Sequence, residues 1–152
     1  MKQLRYLLLT LLVIMSANVS AKGMVEPKMY MFGFAASFND SIVHFTEIQT
    51  VDSVWVDQRT KLMLGRENYS NQLRDFMTDK QQMPNRTCVV FYNRDRQKLE
   101  KEFLKMRRIY TTGKKKPKKK DAGKILSHNE IHDITLSEFK FHTVNMSGPQ
   151  NE

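Results

Sequence analysis

Two histidines four residues apart, His128 and His132, are the chain's nearest approach to a catalytic constellation. On a helix that spacing puts both imidazoles on one face. There they would hold zinc if Glu130, Asp133 or the downstream His142 completed the ligand set. The intervening order is His-Asn-Glu-Ile-His. The helical metalloprotease arrangement needs its glutamate directly after the first histidine. A metal-dependent hydrolase using His128 and His132 is therefore an alternative reading, and structural or surface histidines are the simpler one. His44 lies in an apolar stretch and reads as a sheet residue.

The remaining reactive residue types form no stronger pattern. Asp52 and Asp57 flank Ser53-Val54-Trp55-Val56, and a tryptophan near two acids can line a carbohydrate cleft. Paired carboxylates hydrolyse glycosidic bonds only at a defined separation in space, so Trp55 packing in the core is the plainer account. Cys88 is the one cysteine, which excludes an intramolecular disulfide. It sits in Thr87-Cys88-Val89-Val90-Phe91 and reads as a small buried hydrophobe of a strand. No base is placed beside it in the sequence to make it a nucleophile. The chain has no Gly-x-Ser-x-Gly, no phosphate-cradling glycine loop and no Cys-x-x-Cys, so no catalytic residue and no cofactor is assigned. Asn-x-Ser/Thr triplets at Asn68, Asn85 and Asn145 fit chance occurrence.

Charge is the more informative signal. The 152 residues carry 25 basic and 16 acidic side chains, a formal charge of +9. Lys114-Lys115-Lys116-Pro117-Lys118-Lys119-Lys120 alone supplies six of the positive charges. Lys98, Lys101, Lys105 and Arg108 precede it at i, i+3, i+7 and i+10, a spacing that lines them along one face of a helix. Between Arg94 and Lys120 thirteen basic residues meet three acids, a net charge of +10, while the rest of the chain is close to neutral. A local field of this kind attracts an anionic partner: an envelope component, an acidic glycan or an acidic protein. The competing account is a solvated surface helix followed by a charged loop. The run carries no aromatic residue for stacking on bases, which argues against nucleic acid.

Elements that would position these residues follow from periodicity. Met29 to Phe38 alternates at period two, with Tyr30, Phe32, Phe34, Ala36 and Phe38 on one face and Met29, Met31, Gly33, Ala35 and Ser37 on the other. Both faces are apolar and the second is small, which suits a central strand against which a helix packs closely. Asn39-Asp40 predicts a tight turn into a second strand from Ser41 to Val51, placing Ala36 opposite Val43 and Phe34 opposite Phe45. Asp52 to Asp57 is left open between a loop, a short strand and a helical turn. Tyr69, Leu73, Phe76 and Met77 predict an amphipathic helix over 66–80. Thr87 to Tyr92 is the third strand. Asn93 is the expected N-cap of a second helix buried through Leu99, Phe103, Met106 and Tyr110. Residues 111–124 read as a mobile lysine-rich connection and 125–133 are left open. Glu138 to Val144 reads as the last strand, one whose edge could take a partner's strand if the chain is a subunit of a larger envelope complex.

The expected fold is therefore α+β, a mixed sheet of about four strands with an N-terminal hairpin, covered by two amphipathic helices in the order β-β-α-β-α-β. Residues 1–21 read as a signal peptide: Lys2 and Arg5, an apolar core from Leu7 to Met15, and Val19-Ser20-Ala21 for cleavage. That core is shorter than the ~20 residues of a membrane-spanning helix. The expectation is an exported protein, periplasmic or extracellular, with one domain over 22–146, a flexible tail at 147–152 and no transmembrane span after cleavage. Its expected role is a non-enzymatic accessory or binding domain.

Overall fold

Alternating aromatic and small residues make strand β1 (Gly23–Ala36) the axis of the sheet, and three other strands pair with it. The computed structural model describes residues 23–112 and 129–146. Residues 1–21, read above as a signal peptide, Lys114 to Lys120, His128 and the expected tail at 147–152 lie outside them. Strands β2 (Ile42–Thr46) and β3 (Gln49–Asp57) follow one another along one side of β1, both antiparallel to it. Strand β4 (Thr87–Asn93) runs antiparallel along the other side. Strand β5 (Glu130–Ile134) joins the outer side of β2 in parallel. Helix α1 (Arg66–Asp79) precedes β4, and helix α2 (Arg96–Thr112) follows it.

The class is α+β as expected, with five strands rather than four in the order β-β-β-α-β-α-β. The additional strand comes from dividing the predicted Ser41–Val51 segment. Phe34 faces Phe45 and Ala36 faces Val43, as the turn at Asn39-Asp40 predicts, but Met31 faces Gln49. One extra residue is thus accommodated around Glu47 and Ile48, a bulge that ends β2 and starts β3. Thr46 repairs the ladder there: its Oγ1 accepts the Gly33 N–H at 2.8 Å. A second irregularity sits where Pro27 stands opposite Ser53, whose φ is 56°. Proline offers no N–H to the ladder. Both strands switch their buried side at that point, which lets Val51, Val54 and Val56 enter the same core.

The two faces of β1 belong to two different cores. Met29, Met31 and Ala35 pack with Val51, Val54, Val56 and the Tyr69, Leu73 and Met77 stripe of α1. Phe32 and Phe34 pack with Val43, Phe45 and the Leu99, Phe103, Met106 and Tyr110 stripe of α2. Gly33 is the point of closest approach on the α1 side: a Cβ there would lie 2.6 Å from Leu73 Cδ2. Strands β4 and β5 run in the same direction with β1 and β2 between them, so the β4–α2–β5 step is a parallel crossover.

Three expectations are corrected. Helix α2 is capped by Asp95, whose Oδ1 accepts the N–H groups of Gln97 (2.9 Å) and Lys98 (3.3 Å). Asn93 instead accepts the Asp95 N–H and shapes the approach. The helix continues through Thr112, so Thr111 and Thr112 are not part of a connection. Glu138 to Val144 is not a strand. It is a strap laid over the α1 side, its backbone held by side chains instead of a ladder. Gln49 donates to the Phe139 carbonyl and accepts the Phe141 N–H, at 3.0 and 2.9 Å. Gln72 makes the same pair with His142, at 2.9 and 2.8 Å. Phe139 and Phe141 fall on one side, as predicted, and are buried. The Phe139, Phe141 and His142 backbone groups so bonded are not available to a partner strand.

Candidate functional site

Helix α2 exists because Leu99, Phe103, Met106 and Tyr110 recur on one stripe above the aromatic side of the sheet. That stripe fixes what the opposite side shows to solvent. At about 100° per residue, Lys98, Lys101, Lys105 and Arg108 fall within an arc of roughly 80° opposite the buried stripe. All four are exposed. Glu100 and Glu102 lie on the flanks of that arc, not within it, and Glu100 is paired with Arg96 at 3.0 Å. Of the two basic residues of α2 outside the arc, Arg96 is the partner of Glu100 and Arg107 has a structural role. Its guanidinium stacks over the rings of Phe45 and Phe103, 5.5 and 5.4 Å from their centroids, and forms a two-pronged ion pair with Asp133 on β5. The lysine run that would extend the face lies outside the described residues.

Sequence reading missed the apolar neighbour of this face. Leu104 departs from the buried stripe of α2 and is 61% exposed, and Leu136, just after β5, is 40% exposed. With Ile48 and Phe103 they line an open groove of about 480 Å³ between α2 and the β2–β3 bulge, rimmed by Glu47 and Glu100. The available signal was the position of Leu104 itself, a leucine between Lys101 and Lys105 on the solvent side of an otherwise regular pattern.

The histidines are distributed differently from the metal reading. His132 is on strand β5, not on a helix, and its Nε2 lies 2.7 Å from Glu130 Oε1. Its neighbour across the parallel ladder is His44, with ring centroids 5.3 Å apart. Among the described residues, no three His, Cys, Asp or Glu side chains converge as a metal site. His44 is a sheet residue, as read, and is 3% exposed with its Nδ1 unpartnered. Burial, with the charges of Arg86 and His132 secondary, pulls its pKa down to about 4; Asp40 opposes the shift. Arg86 is itself buried, donating to the Ile42 carbonyl and to Asp40, both at 2.8 Å, while its Nε has no partner.

The other candidates resolve into structural roles. Asp57 Oδ1 accepts the N–H groups of Arg59 and Thr60 and the Thr60 hydroxyl, which closes the turn after β3 and lowers its pKa. Asp52 is exposed on β3, and Trp55 is half-buried against Gly23, outside both cores. Cys88 packs at the edge of the α1-side core, and burial pushes its thiol up to about 11, the opposite of an activated nucleophile. Comparison of the chain with protein-family models, with curated proteins and with solved structures gives no significant match.

Proposed function

We propose that this protein is a non-enzymatic accessory or binding domain, exported to the cell envelope, whose basic face on α2 engages an anionic partner. The observation that carries the reading is the acid-free arc of Lys98, Lys101, Lys105 and Arg108, held outward by the buried stripe beneath it. Lysines on a rigid helix keep their spacing, so their fields add over one patch of surface. The six lysines of the run follow α2 directly in sequence and extend the same positive stretch. Export rests on the signal-like first 21 residues. Among the described residues no helix is long and apolar enough to cross a membrane, which suits attachment through a surface.

The test compares two charge-matched variants for retention on soluble polyglutamate and heparin. One replaces Lys98, Lys101 and Lys105 by serine; the other replaces the exposed Lys28, Lys80 and Lys140. The first is expected to lose binding and salt sensitivity, and the second to keep both. Equal losses would show that net charge alone binds, and the α2 face would have no special role.

A further inference from the structure

We infer that the anionic partner is a lipid bilayer, and that α2 docks on it with its cations at the headgroups and Leu104 in the acyl boundary. This rests on the proposed function and names the partner of the same face. Three observations select a bilayer among polyanions. The face is dominated by lysine, a residue depleted from protein–protein interfaces, and aromatic anchors are missing from its arc. That same lack removes the stacking platforms that single-stranded nucleic acid uses. Finally, the large apolar side chains beside the cations are aliphatic and protrude: Leu104 at 61% exposure, with Leu136 at 40% behind it. Exposed leucines bordering lysines is the composition of surfaces that lie in a membrane interface, with charges on the phosphates and leucine below them.

The geometry fits a flat partner. Leu104 sits about 60° around the helix from Lys101, so both reach one plane tangent to α2. Glu47 and Glu100 also line the groove beside Leu104, together with Arg96, which pairs with Glu100 at 3.0 Å. Because the opposite side of α2 is anchored by Leu99 and Phe103 in the aromatic core, docking needs no unfolding of the helix.

The experiment is co-sedimentation of the mature protein with vesicles of phosphatidylcholine alone and with phosphatidylglycerol added, beside polyglutamate as a soluble polyanion. Among the vesicles, binding is expected only where phosphatidylglycerol is present; it should be tighter than binding to polyglutamate and should weaken with salt. Replacing Lys98, Lys101 and Lys105 by serine should reduce it on the order of 100-fold. Leu104→Ser should reduce vesicle binding about tenfold without changing polyglutamate binding. Both variants alter exposed positions, and an unchanged melting temperature verifies their fold. Vesicle binding indifferent to Leu104→Ser would overturn the docking inference and leave the basic face standing as an electrostatic site. Binding to polyglutamate as tight as to phosphatidylglycerol vesicles would also overturn it, and would make an acidic polymer the partner. Failure to bind either would remove the basic-face reading as well.

Discussion

Single residues decide how this protein responds to acid. His44 faces Ala35 on one side and His132 on the other, with Arg86 and Asp40 nearby and Glu130 beyond His132. Its proton affinity is lower in the folded chain than in the unfolded one, so the unfolded state binds the extra proton first. Stability is therefore fully present above the unfolded value near 6.5 and falls as pH drops toward the folded value of about 4. Melting temperature measured across that window should decline steadily, and His44→Leu should flatten the decline. A wild-type curve level from neutral pH to about 4 would show that His44 stays neutral at no cost. The sequence placed His44 in a sheet, but its neighbours come from segments 42 and 88 residues away in number, and no local pattern announces them.

At the scale of elements, β1 shows what alternation encodes. Its small side was legible from Gly33 and Ala35, and α1 does settle there with Leu73 against Gly33. Gly33→Ala should lower stability by about 1–3 kcal/mol, because the new methyl meets Leu73 and Phe141 within a filled core. Chemical denaturation checks this, and trimming Leu73 to valine in the same chain should recover part of the loss, a non-additivity that two independent defects would not show. The hairpin register, both amphipathic helices and β4 could be read because each depends on contacts close in sequence or on one strong period. The β2–β3 break, β5 and the strap could not. The break depends on Thr46 replacing a ladder bond at Gly33. Phe139 and Phe141 carry strand-like alternation, yet Gln49 and Gln72 take up the backbone groups a ladder would have used. The basic arc of α2 was legible from spacing alone, whereas the groove beside it required knowing that the β2–β3 bulge and Leu136 converge on Leu104.

For the whole molecule, the consequence of a single shared strand is cooperativity. The α1-side core and the aromatic α2-side core have no side chains in common, but alternate residues of β1 supply both. Uncovering one side would leave the backbone of β1 paired while exposing Phe32, Phe34 and Phe45, or else Met29, Met31 and Ala35, to water. Neither half is a state with a complete core. Phe32 is the strongest probe of this coupling: it is fully buried, stacks on Phe91 at 5.1 Å and meets Phe103 edge-on at 5.0 Å. Phe32→Ala should cost about 3–5 kcal/mol. Trp55 on β3 lies outside that cluster and reports independently by fluorescence, while far-UV circular dichroism follows both helices. The two signals should share one denaturation midpoint in the native chain and move together in the variant. A Trp55 midpoint left in place while the helical signal falls early would mean that α2 detaches as a separate unit. The face proposed to meet lipid would then ride on a mobile helix instead of a fixed one.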